Sequence, residues 1–198
     1  MKSLRGNRKP FVAFVWLALA LPVAPALAES ARAQSADDQA SMALEADLAR
    51  LADPDAPDWQ GAEARVLAAW SRSGSAAVDA LLERAQRHLG ADDAQAAISD
   101  LTVVTELAPA FAEGWNQRAI AYFAAGQIGP SLRDLGQALR LNPRNYVALA
   151  GLGTILSDTD RLDEAMAALR ASLAINPHQA AVERALRALE RRAGQGTI

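Results

Sequence analysis

Two histidines, His88 and His178, are the first residues to consider for metal binding or general-base catalysis. They lie far apart in sequence, and neither has a second histidine or a cysteine at metal-ligand spacing. The serines of "SRSGS", Ser71, Ser73 and Ser75, could supply a nucleophile. They lack a G-x-S-x-G frame, and no lysine follows residue 28 to form a Ser–Lys pair. The "GLG" at 151–153 has neither a preceding strand nor the third glycine of a dinucleotide fingerprint. The paired carboxylates Asp92–Asp93 and Asp163–Glu164 fall at helix starts, where negative charge favours the macrodipole. The chain has no cysteine, which removes thiol catalysis and thiolate metal sites together. No catalytic, cofactor or metal site is expected.

The elements that would position these residues follow a fixed period. Pro109, Pro143 and Pro177 are equally spaced, and three units, 78–111, 112–145 and 146–179, align on them without insertion. Small residues recur at Ala85, Ala119 and Gly153, and again at Ala97, Ser131 and Ala165. Leu101, Leu135 and Leu169 recur beside them, as do Leu107, Leu141 and Ile175. Small residues at fixed spacing let two helices approach closely, and the leucines fill the space alongside. Each unit therefore reads as two helices and a polar turn. Gly126 suits a left-handed helix end, Pro130 suits a first helical turn, and Asp93 and Asp160 are the expected N-caps. In "SRSGS", Gly74 turns the chain and Ser75 caps the helix that follows.

Trp115, Ala119 and Tyr122 fall in a W-x-x-L-G-x-x-Y frame, with Leu135 four residues after Ser131 and then Pro143. On these residues the span 78–179 resembles the tetratricopeptide repeat (TPR) family. The resemblance implies an all-α, right-handed solenoid of three helix-pair repeats, with an N-terminal helical cap and a C-terminal capping helix. Arg118 stands where that family usually has leucine, and Ser131 where it has alanine. His88 and Leu156 stand where it has tyrosine, which makes His88 a packing residue. A charge at the Arg118 position falls in the inter-helix core and needs a partner. Asp134 in the second helix of the same unit is the expected one, and a ligand contact is the alternative.

Family members commonly hold an extended peptide in a groove lined by their first helices. The resemblance places Glu113, Asn116, Ile120 and Phe123 there in the second unit, with Val147, Ala150, Thr154 and Ser157 in the third. Asp79, Leu82 and Gln86 occupy that face of the first unit, and Arg184 could join from the end helix. Asn116 is the expected anchor, because an amide both donates and accepts. The basic clamp with which chaperone-binding relatives grip a carboxylate is absent, since Leu82, Asn116 and Ala150 hold its positions. The alternative is that the groove is solvated surface and binding occurs elsewhere.

Residues 180–193 read as the closing helix, with Val182, Leu186 and Leu189 on one face. Residues 39–75 read as two amphipathic helices, either a cap or a degenerate repeat, and 29–38 as a disordered linker. Residues 1–28 combine Lys2, Arg5, Arg8 and Lys9 with an apolar run from Phe11 to Ala28 that ends in "ALA". That pattern is a secretory signal peptide, with an uncleaved inner-membrane anchor as the alternative. Residues 29–198 carry 16 arginines against 23 acidic residues, a net charge of −7. This balance argues against nucleic acid and anionic lipid as partners, and after cleavage no stable membrane insertion is expected.

The stretches "AWSRSGSAAVDALLERA", "FAEGWNQRA" and "ALAGLG" are similar to a group of exported alphaproteobacterial TPR proteins. That similarity implies a location and an architecture but no reaction. The expected function is a periplasmic, non-catalytic scaffold or adaptor for a protein or peptide partner. A permanent structural subunit of an envelope complex is the alternative, and an enzyme the reading furthest from the residues.

Overall fold

The computed structural model describes the backbone of residues 23–195 and the side chains of residues 35–194. Among these there are nine helices and no strand. They are α1 (Val23–Ala52), α2 (Trp59–Trp70), α3 (Ala76–Gly90), α4 (Ala94–Leu107), α5 (Ala112–Ala124), α6 (Ile128–Leu141), α7 (Tyr146–Asp158), α8 (Leu162–Ile175) and α9 (Ala180–Gln195). The chain divides into two units, Met1–Ala40 and Ser41–Ile198. In the first, the described part is a single stretch of α1. Most of the expected signal peptide, residues 1–22, lies outside the described residues, and 23–28 open α1. Residues 29–38 differ from the expected disordered linker, because they are helical within α1. Polarity suggested disorder, but alanine is the strongest helix former and recurs through this stretch.

In the second unit, α3 to α8 form three helical pairs, and the sequence period has a backbone cause in each. Asp92 (φ 58°), Gly126 (φ 72°) and Asp160 (φ 61°) adopt the left-handed conformation between the two helices of a pair. In each pair the next amide reaches back five residues. Asp93 N donates to His88 O at 2.9 Å, Gln127 N to Tyr122 O at 2.8 Å, and Arg161 N to Leu156 O at 2.9 Å. These contacts satisfy carbonyls that the helix end leaves open. Asp93 then caps α4 by accepting from Ala96 N at 3.0 Å. Asp160 differs from its expected role as N-cap, because it shares the register of Asp92 and Gly126 and takes the left-handed turn. Arg161 occupies the cap position instead, without a side-chain cap bond. Ser75 holds the N-cap position of α3 but likewise makes no side-chain cap bond.

Helices of a pair touch through the small residues. Ala85, Ala97, Ala119, Ser131 and Ala165 are all buried. Ser131, placed where an alanine would serve, satisfies its hydroxyl by donating to Ala119 O at 2.7 Å. The third pair is the tightest. A Cβ built on Gly153 would lie 2.5 Å from Leu169 Cδ2 and 3.3 Å from Ala165 O. Gly153→Ala should therefore cost about 1–3 kcal/mol of stability through overpacking, read from the midpoint of denaturant unfolding. The corresponding Ala85 and Ala119 show that the register itself accepts a methyl group; only the closer approach in the third pair excludes it.

The helix α9 closes the array. At the C-terminal end Val182, Leu186 and Leu189 of α9 pack on Leu156, Met166 and Leu169. At the other end of the sequence, Leu48 and Leu51 of α1 join Val66 of α2, and Arg65 grips Asp47 with two hydrogen bonds of 2.9 and 2.7 Å. This hairpin then packs on the third pair. Tyr146 and Ile175 complete its apolar cluster, Arg144 pairs with Glu45, and Trp59 stacks flat on His178 with centroids 4.4 Å apart. His178 Nε2 also lies 3.0 Å from Asp53 O, so this nitrogen carries the hydrogen, because a carbonyl only accepts.

Candidate functional site

The first helices of the second and third pairs, α5 and α7, present the same registers one period apart. Asn116, Ile120 and Phe123 from α5 meet Val147, Ala150 and Thr154 from α7 around one cavity of about 360 Å³. Ser131, Leu135 and Ile155 line it as well, and none of its lining residues is charged. Ile120 (39 % exposed) and Val147 (36 % exposed) are large apolar side chains left at the surface.

Other expected groove residues lie apart from this cavity. Ser157 lines a smaller depression of about 190 Å³ with Ala185 and Ala188 of α9. Arg184 is exposed on α9 and lines neither. Asp79, Leu82 and Gln86 of the first pair share a separate depression with Ala68, Ser71 and Arg72, so the end of α2 borders that stretch. There the Asp79 carboxylate accepts from Ser73 N and Ser73 Oγ, which holds its pKa below the ordinary value.

Asn116 differs from the open anchor that its register suggested. It is 1 % exposed, and its Nδ2 donates to Glu113 Oε2 at 3.1 Å. No described donor reaches its Oδ1, and no fully enclosed side-chain oxygen or nitrogen in the described residues is unpaired. The amide therefore presents an acceptor only, on a side chain that lines the cavity while almost wholly buried. Glu113 lies beneath this arrangement. Gln117 Nε2 donates to its Oε1 at 2.6 Å, and Asn145 Nδ2 approaches its Oε2 at 3.5 Å. Asn145 is itself fixed, because its Oδ1 caps α7 through Ala148 N at 3.0 Å.

Burial pushes the Glu113 carboxyl above the ordinary glutamate value, against the opposing pull of the Gln117, Asn116 and Asn145 amides. In the window between the ordinary value of 4.5 and the raised one, the folded chain holds a proton that the unfolded chain has lost. Stability therefore rises as pH falls through that window. Glu113→Gln should flatten this rise, which urea unfolding of both chains at stepped pH would measure. Carboxylates held by arginines, such as Asp47 and Asp100, act with the opposite sign and at pH values below 3.8.

Arg118 faces away from the cavity. Its Nε and Nη2 donate to the two Asp134 oxygens at 2.6 and 3.0 Å, and Nη1 donates to Thr105 Oγ1 of the preceding pair at 2.7 Å. The guanidinium also lies 4.8 Å from the Trp115 ring centre. Sequence reading missed the matching pair one unit earlier, where Arg84 Nε donates to Asp100 at 2.6 Å. The signal was available, because Arg84 and Asp100 stand one full period before Arg118 and Asp134. In the third unit Leu152 and Ala168 hold the same places.

A tetratricopeptide-repeat family model matches residues 131–189. A TPR repeat-containing protein of Rhizobium etli is 32 % identical over 133 residues, which cover 67 % of this chain and 64 % of that protein. Among solved structures, the Sgt2 TPR domain of Aspergillus fumigatus aligns with a TM-score of 0.59 at 22 % identity, over 62 % of this chain and 82 % of that one. The first TPR of Spaghetti (RPAP3), bound to the HSP90 peptide SRMEEVD, aligns with a TM-score of 0.57 at 20 % identity, over 59 % and 93 %. The Yersinia enterocolitica chaperone SycD with a YopD peptide aligns at 0.56 and 13 %, over 60 % and 96 %. These structures share the fold. The chain has the tetratricopeptide-repeat fold, an all-α solenoid of three helix pairs closed by α9. Such domains are protein–protein interaction modules.

Proposed function

We propose that this chain is a non-catalytic adaptor of the bacterial cell envelope that holds an extended segment of a protein partner between α5 and α7. The observation that carries this reading is the cavity itself: about 360 Å³, apolar-walled, and open beside the exposed Ile120 and Val147. A site of that size and lining accepts one or two apolar side chains of an extended chain. Solved relatives of the same fold that carry bound peptides add support. The envelope location rests on the basic leader, apolar run and small-residue site of residues 1–28. Among the described residues no helix is long and apolar enough to cross a membrane.

Ile120→Arg and Val147→Arg test the groove. Both side chains already reach solvent, so the helices should persist by circular dichroism. Peptides selected from a random library on the wild-type chain should bind either variant at least about tenfold more weakly, since a charge then lies in an apolar pocket. Undiminished binding would move the site elsewhere.

A permanent structural subunit is the second reading, and Val103 (40 % exposed) and Leu107 (61 % exposed), one turn apart on α4, favour it. Purification in a fixed-stoichiometry complex that Leu107→Glu disperses would select it.

A further inference from the structure

The polar groups of the groove are of one kind. Asn116 lines the cavity while almost wholly buried, and its Nδ2 is committed to Glu113. That bond fixes the amide orientation and leaves Oδ1 as the group on offer. Glu113 is a half-buried carboxylate whose hydrogen-bond partners are neutral amides, and among the described residues it has no cation within ion-pair distance. The arginines nearest in register, Arg84 and Arg118, are turned to Asp100 and Asp134. The cavity wall thus offers an acceptor and no charge, and Glu113, bonded to Asn116 just outside that wall, adds a carboxylate without a countercharge, in a chain whose residues 29–198 carry −7 and no lysine.

Resting on the reading of the groove as a peptide site, we propose that it selects a segment in which an aliphatic residue is immediately flanked by a cationic one. The aliphatic side chain fills the cavity beside Ile120 and Val147. A backbone N–H of the segment donates to Asn116 Oδ1, and the lysine, arginine or free amino group lies against Glu113. Two alternatives fail on the same chemistry. An acidic segment brings only acceptors to acceptors, and the two amides that could have held its carboxylate, those of Asn116 and Asn145, already face Glu113. A purely apolar segment would leave Glu113 half-desolvated with no countercharge, a state an incoming cation relieves. The field of the whole chain favours the same choice at longer range.

The test uses the full chain and phage-displayed random heptapeptides. Binders are counter-screened on Ile120→Arg, and the strongest is resynthesised with norleucine or glutamate in place of its cation. Selection should enrich Lys or Arg next to Leu, Ile, Val or Met. Norleucine should weaken binding to wild type about tenfold, and binding to Glu113→Gln by less than about twofold, because a charge-assisted bond is lost only where the charge exists. Comparing two peptides on the same variant cancels any folding defect of that variant. Three outcomes overturn the proposal while leaving the groove reading intact: no cation enrichment among Ile120-dependent binders, a norleucine penalty unchanged by Glu113→Gln, or tighter binding of the glutamate analogue. Binders indifferent to Ile120→Arg, or no binders at all, overturn the groove reading and this inference with it.

Discussion

Asp134→Ala is expected to lower the unfolding free energy by about 3–5 kcal/mol, the range for removing one partner of a buried ion pair. The side chains of Arg118 and Asp134 are only 13 % and 8 % exposed. Removal of the carboxylate leaves the Arg118 guanidinium under Trp115, still bound to Thr105 but with its charge uncompensated. The informative comparison is the double variant Arg118→Leu/Asp134→Ala. It reproduces the Leu152 and Ala168 pairing that the third unit already uses. Replacement of a buried pair by apolar packing is often neutral, so most of the lost stability should return. Breaking the homologous Arg84–Asp100 pair should cost much less, because Arg84 is 53 % exposed and water compensates it. Urea unfolding of the four chains decides the matter. An Asp134→Ala chain as stable as wild type would remove the Arg118 pair from the list of what holds the first two units together.

Leu51→Ala is expected to cost about 2–5 kcal/mol, as for other fully buried leucines. Leu51 has no exposed surface and belongs to the cluster formed by Leu48, Val66 and Tyr146. What distinguishes this variant is where the loss should appear. Tyr146 opens α7, and its hydroxyl donates to Glu63 on α2 at 3.2 Å, while Asn176 Nδ2 donates to the same oxygen at 2.9 Å. The α1–α2 hairpin is therefore fastened to the third unit, far along the sequence. Hydrogen exchange at the start of α7 should accelerate along with exchange in α2. A loss confined to α1 and α2 would mean that the hairpin opens independently and that the third unit does not depend on it.

The repeat architecture was legible because its signals are local and recur. Pro143 cannot continue a helix, Gly126 accepts a positive φ, and Ala119 opposite Ser131 and Leu135 requires close helix contact. Each reads the same way one period earlier or later. The face of α5 and α7 that lines the cavity was instead implied by the family resemblance, which named Ile120 and Val147 among its residues. Arg84–Asp100 was equally legible, and overlooking it was a failure to apply the period to charged residues as well as small ones. Asp160 belongs with it. Its residue type suggested a cap, but its register is that of Gly126, whose left-handed turn the sequence already announced.

What the period could not contain, only tertiary structure decided. Asn116 looked like an open contact for a partner. It is half committed because Glu113 lies one turn before it, and three amides from α5 and the α7 cap converge on that carboxylate. The seating of α1 and α2 on the third unit had no sequence signal at all. An amphipathic helix announces that one face must be buried, and its sequence does not say against what. That choice was made by the shape of the surface around Tyr146, Ile175 and His178, which exists only once the third pair has folded.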